Sequence, residues 1–276
     1  TAFIMKKKSV INYFLVSLTS LITLNIRPLY SSATILDCVG QIPNKTSCLI
    51  EANKLKLRIR RIDICQKNPF PSYRSTADYV GSKCINLTNN NFEVENYLDK
   101  NKKFDIPKNL INQKGEYKYF SIILENKFVV SGKYNAGNYF WATSKEGPKN
   151  IIQSQKNISN PDEFTTKLTN WRGKKNLDNK YCENNGGTPS RCDVQYNGYR
   201  MIGVGLDSDF VETSGNKTKY MFFMSELSPT VNLDDDSKGF FKINFKKNLE
   251  VFGNKLAVKS ISIAPFQFRA RFISEN

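Results

Sequence analysis

Six cysteines (Cys38, Cys48, Cys65, Cys84, Cys182 and Cys192) and a complete absence of histidine decide most of the chemistry open to this 276-residue chain. Without imidazole there is no Ser-His-Asp or Cys-His activation, no histidine general base and no histidine metal ligand. The cysteines contain no CxxC pair, so their spacing is not that of a zinc site. An even number in an exported chain reads as disulfides. Spacing alone leaves all 15 connectivities open. The sequential pairing, Cys38 with Cys48, Cys65 with Cys84 and Cys182 with Cys192, closes three local loops, each stabilising by roughly 2 to 3.5 kcal/mol in the loop-entropy account. What survives as catalysis is lysine chemistry or a carboxylate pair such as glycoside hydrolysis uses, and neither leaves a short motif.

Four other groupings could do chemistry. "GVGLDSDF" at 203–210 places two glycines after an apolar run, but it lacks the third glycine and the helix of a dinucleotide loop. Close packing of a strand backbone explains the glycines more simply. Asp207 and Asp209, with Asp234, Asp235 and Asp236, are the carboxylate clusters able to offer oxygen to calcium, although no EF-hand spacing surrounds them and solvated turns account for them better. Tyr139, Phe140, Trp141 and Trp171 could form an aromatic platform for sugar rings, or fill a core. Lys54, Lys56, Arg58 and Arg60 alternate with apolar residues in "KLKLRIRRIDIC" at 54–65 and form one basic row. Asn44, Asn86, Asn157 and Asn216 match the N-glycosylation acceptor, which would mean little were the source bacterial.

The compartment is read from the leader. After Met5 come Lys6, Lys7 and Lys8, then a 14-residue apolar run at 13–26, then small residues Ser31 and Ala33. That is the pattern of a signal peptide cleaved after Ala33. The run is short of the roughly 20 residues a membrane span requires, so no span is expected after cleavage. Residues 1–33 are thus leader with an upstream scrap, and 34–276 the mature chain. The net charge of +16 falls to +12 when the leader's four basic residues are removed. The charge is carried by 31 Lys against 10 Arg, beside 31 Asn, a bias that genome composition also produces. Lysine without arginine clusters argues against specific nucleic-acid reading, where bidentate arginines carry the contacts. An anionic surface or polysaccharide is the better match for an exported basic protein.

These side chains must be positioned by strands. Apolar runs of period two recur at 92–98, 117–125, 127–134, 138–143, 199–206, 219–226, 240–245 and 258–273. In 54–65 the inward set is Leu55, Leu57 and Ile59, then Ile62 and Ile64, so the phase slips at Arg60 and Arg61. A slip that keeps the pattern predicts a β-bulge. "ENK" at 125–127 predicts a hairpin, and Gly137 with Asn138 a second reversal. Residues 161–171 could form a short helix with Pro161 in its first turn. The polar segment 144–193 reads as a long elaborated excursion stapled by Cys182 and Cys192. The expected core includes Ile59, Ile62, Ile64, Phe120, Ile122, Leu124, Val129 and Met201. The fold class is all-β, an antiparallel β-sandwich, either as one domain over 34–276 or as a sandwich over 34–143 and a second β unit over 194–276 linked by 144–193.

The strand "LKLRIRRIDIC", the cysteine in "SKCINL" at 82–87, "KFDIP" at 103–107 and "GEYKYFSIILEN" at 115–126 together resemble exported prealbumin-like sandwich domains of bacteria, common among small secreted proteins of marine bacteria and of unassigned function. The resemblance covers residues 55–134. It implies a sandwich and brings no catalytic residue, metal or cofactor. The resulting expectation is an exported binding or surface-structural protein without catalytic activity; the alternative is a carboxylate-based glycan hydrolase.

Overall fold

The computed structural model describes residues 37–45, 47–71, 76–88, 94–97, 103–105, 114–168, 182–183, 191–196, 199–234, 239–246, 248–254, 256–264 and 267–274. The expected leader lies outside them, as does Trp171. All of these residues belong to one compact unit spanning 32–276. In chain order the strands are β1 (Ser47–Ile50), β2 (Lys54–Cys65), β3 (Cys84–Asn86), β4 (Val94–Tyr97), β5 (Lys103–Asp105), β6 (Gly115–Glu125), β7 (Phe128–Ser131), β8 (Lys133–Ala136), β9 (Tyr139–Ser144) and β10 (Gly147–Ser154). There follow β11 (Phe164–Thr166), β12 (Cys182–Glu183), β13 (Arg191–Tyr196), β14 (Tyr199–Leu206), β15 (Tyr220–Leu233), β16 (Gly239–Lys246), β17 (Leu249–Asn254), β18 (Ala257–Ile263) and β19 (Gln267–Ser274).

The fold is all-β; among the described residues the strands form four sheets, none of them closed, with every strand pair antiparallel and one isolated parallel bridge between Asp37 and Leu49. The largest runs β11-β7-β2-β6-β15-β14-β13-β12, with β3 and β4 also paired to β2. Strands from both sides of residues 144–193 therefore share this sheet. Three smaller sheets are β1-β17-β18, β10-β9-β8 and β19-β16-β5. No helix of the described residues is long and apolar enough to cross a membrane.

The central strands bury both faces, which is why they read as nearly continuous apolar runs. One face, with Ile62, Ile64, Phe120, Ile122, Leu124, Met221 and Phe223, joins a core that includes residues of the smaller sheets such as Phe241, Leu249 and Ile261. The other face, with Ile123, Ile202, Val204, Leu206, Phe222 and Met224, packs around Phe70, with Ala77 and Tyr79 against it. Gly203 and Gly205 of β14 stand opposite Phe223 and Met221 of β15. A Cβ on Gly205 would lie 2.6 Å from the Thr213 carbonyl oxygen, so Gly205 serves backbone approach.

The expected bulge is present. Ile59 pairs with Leu124 and Arg61 with Ile123, so two steps on β2 oppose one on β6. Gly137, at φ +61°, reverses the chain between β8 and β9. Three expectations are corrected. The 125–127 stretch is not a hairpin, because β6 and β7 both run antiparallel to β2 and hence continue in one direction. Asn126 holds this kink: its buried amide donates to the Leu168 and Thr218 carbonyls at 3.0 Å each, and its oxygen accepts the Leu168 N–H at 2.8 Å. The kink also changes the phase, so Phe128 and Val130 are fully buried while Val129 is only half-buried, on the opposite face. Residues 161–166 are not helical; Phe164–Thr166 pairs with Phe128, Val129 and Val130 instead. The polar middle, elaborated as expected, supplies β10, β11, β12 and part of β13.

Candidate functional site

The basic row is built by the alternation of β2. Leu57 and Ile59 point into the core at 3% and 1% exposure, which sends Lys54, Lys56 and Arg58 to the other face. The bulge then places Arg60 and Arg61 on that same side. The four side chains Lys54, Lys56, Arg58 and Arg60 retain 60%, 32%, 30% and 27% of their exposure. Among the described side chains, two carboxylates are laid along them. Glu163, one residue before β11, accepts from Lys54 Nζ at 2.8 Å and faces Lys56 Nζ at 2.6 Å, one oxygen to each. Glu125, the last residue of β6, has Oε2 3.1 Å from Arg58 Nη1 and 3.5 Å from Arg60 Nη2. Hydrogen bonds from Lys54 and Lys56 hold the Glu163 carboxyl below the usual range, against a small opposing effect of burial.

The row runs into aromatic surface. Glu125 is opposite Tyr220 in register. The Arg60 guanidinium carbon lies 5.8 Å from the centre of the Tyr220 ring. Phe210 stacks on Tyr220, centroids 4.7 Å apart and planes within 8°. Sequence reasoning missed this pair; its signal was an aromatic residue directly after the Asp-Ser-Asp turn.

Beyond the bulge the same face closes over. Arg61 donates from Nε to both oxygens of Asp63, at 3.0 and 2.8 Å, and from Nη2 at 2.8 Å. Its guanidinium lies 3.9 Å from the centre of the Tyr79 ring, a cation–π contact. Tyr79 belongs to the segment between β2 and β3, whose ends Cys65 and Cys84 are bonded. Arg191 Nη2 ties the same segment to β13 through the Phe70 carbonyl at 2.9 Å. Asp63 is 1% exposed; burial pushes its carboxyl up and Arg61 pulls it only part of the way back. Burial likewise raises the Tyr79 phenol, with the Asp63 charge adding to it. The Tyr79 hydroxyl and Ser121 Oγ are buried without hydrogen-bond partners.

Cys38 is bonded to Cys48 and Cys65 to Cys84. Cys192 is also in a disulfide and sits opposite Cys182 in register. Such bonds persist in oxidising environments. Asp207 serves its own turn, its Oδ1 accepting the N–H groups of Asp209 at 2.8 Å and Val211 at 3.0 Å. Asp234 is exposed after β15, while Asp235 and Asp236 lie outside the described residues. Among the described residues no cluster of three or more Cys, Asp or Glu could hold a metal ion. Of the two readings of the aromatic group, Trp141 follows the core one, at 3% exposure, while Tyr139 and Phe140 are half-buried beside it in β9 and Trp171 lies outside the described residues. No protein-family model, no curated protein and no solved structure matches the chain.

Proposed function

We propose that this is an exported, non-catalytic binding or surface-structural protein of prealbumin-like sandwich architecture, which meets anionic polysaccharide or envelope through the basic face of β2. One observation carries the reading: four cations stand in a row on one strand face, each keeping a quarter or more of its exposure, and among the described side chains Glu163 and Glu125 are each shared between two of them. An anionic polymer offers the same thing, carboxylates or sulfates spaced along a line. The net charge of +12 on the chain without its leader, +16 less the four basic residues there, supplies long-range attraction. Disulfides support export.

No particular observation favours glycan hydrolysis. That chemistry needs an accessible carboxyl held protonated near neutral pH. The carboxyl that burial raises, Asp63, is closed off beneath Arg61 and Tyr79, while Glu163 is held down by two lysines.

The test is retention of the disulfide-intact chain on an immobilised polyanion under a salt gradient, with Lys54→Gln and Lys56→Gln combined. Charge removal is the right change, because reversal would set a new carboxylate against Glu163. Earlier elution with an unchanged circular-dichroism spectrum is expected, since exposed charges are screened over about 8 Å at physiological ionic strength. Unaltered elution would assign the charge to other surfaces.

A further inference from the structure

We propose that Phe210, stacked on Tyr220 beside the basic row, is a shelf for a sugar ring, and that the anionic partner is accordingly a polymer of acidic pyranoses. This rests on the reading of the β2 face as a polyanion surface. Phe210 is 42% exposed, yet its ring is held parallel to Tyr220 at 4.7 Å. Its neighbour Val211 is 37% exposed and widens the apolar patch.

The backbone at this residue is unusual. Phe210 has φ +59°, a left-handed conformation that bulky side chains rarely adopt. Asp207 enforces it by gathering the N–H groups of Asp209 and Val211 on one side-chain oxygen, while its carbonyl accepts the Phe210 N–H at 3.4 Å. Glycine or asparagine would occupy such a position with little strain. A phenylalanine there is strained backbone spent on displaying a ring, and strain of this kind gathers at functional sites.

The surroundings define the ligand. Tyr220 joins the shelf to the row, since Arg60 lies over it at 5.8 Å and Glu125, which bridges Arg58 and Arg60, stands opposite it. An acidic pyranose satisfies both parts: its C–H face lies on Phe210 while its carboxylate or sulfate competes with Glu125 for the guanidinium groups. A flexible polyanion without rings satisfies only the cations. A neutral sugar satisfies only the shelf.

The experiment titrates the full disulfide-intact chain with β-linked polyglucuronate, with poly-glutamate of matched charge and with a neutral β-glucan oligomer, for the parent, Phe210→Asn and Phe210→Trp. The parent should prefer polyglucuronate over poly-glutamate by about tenfold, the worth of one good ring contact. Phe210→Asn should unfold no earlier than the parent, keep its poly-glutamate affinity and lose the preference; Phe210→Trp should restore it. Equal parental affinity for the two polyanions would overturn the shelf and leave the basic face standing, as would an unchanged preference in Phe210→Asn. Binding of neither polyanion would overturn both.

Discussion

Replacing Glu163 by Gln should tighten binding of a polyanion to β2, although it removes two ion pairs from the protein. Glu163 occupies the position an anionic ligand would take between Lys54 and Lys56, at 2.8 and 2.6 Å. Glutamine keeps the shape and removes the charge. A ligand carboxylate approaching to about 4 Å would be relieved of roughly 1 kcal/mol of repulsion in water. Releasing each lysine from an exposed pair adds about 0.2 to 1 kcal/mol to what the ligand can recover. Together these give about 1.4 to 3 kcal/mol, or roughly a 10- to 150-fold gain in affinity at low salt. Fold stability should fall by about 0.4 to 2 kcal/mol, the loss of two solvent-exposed pairs. Isothermal titration over a salt series reads the first quantity and urea unfolding the second. The pH dependence adds a check. The two lysines hold the Glu163 carboxyl below its ordinary value of about 4.3, so its stabilising contribution is fully present above that value and is lost only as pH falls through the lowered one. The advantage of E163Q should therefore be constant from about pH 8 to pH 5 and shrink only in stronger acid. An unchanged or weaker affinity in a folded variant would refute the assignment of the ligand to this row.

Ile62→Ala, at 0% exposure, should cost about 2 to 5 kcal/mol in chemical unfolding, whereas Val129→Ala, half-buried on the basic face, should cost about 1 kcal/mol; equal costs would contradict the phase assigned to β7. Asp63→Ala leaves the Arg61 guanidinium without its bidentate acceptor and should lower stability by about 3 kcal/mol, with the near-ultraviolet signal of Tyr79 changing as well. A loss below about 0.5 kcal/mol would show that Arg61 reaches water unaided. Reduction of the Cys65–Cys84 bond, which closes a 19-residue separation, should destabilise by roughly 3 kcal/mol, measured as a lower urea midpoint.

What could be read beforehand follows from the range of the forces involved. The bulge was legible because period-two alternation is local, and one extra residue between Ile59 and Ile62 breaks it visibly. The cations of the row were legible for the same reason. Their carboxylates were not, since Glu163 is 109 residues from Lys54 and no periodicity connects them. The 125–127 reversal failed on the same ground: Asn126 looks like a turn residue, but its amide is spent on Leu168 and Thr218, 42 and 92 residues away. The helix expected over 161–171 lost to pairing with β7, which supplies the hydrogen bonds that local propensity cannot weigh. Strand β10 was missed because it is largely solvent-facing and carries little apolar signal. Phe210 escaped notice because a single aromatic in a turn has no period at all.

The glycines of β14 bear on how the central sheet keeps its alignment. Where a strand has one wet face, sliding it by one residue exposes its apolar set, and polarity forbids the error. Between β14 and β15 that safeguard is absent, because Phe222 and Phe223 are both buried, on opposite faces. Size replaces it. Phe223 and Met221 lie across from Gly203 and Gly205, while Phe222 and Met224 lie across from Val204 and Ile202. One layer thus sets bulk across from glycine and the other sets bulk across from bulk. A one-residue slide would seat large side chains against the wrong layer, with crowding on one side and voids on the other. The two missing side chains act as notches cut in one strand, and the chain finds its alignment by volume where it cannot find it by solubility.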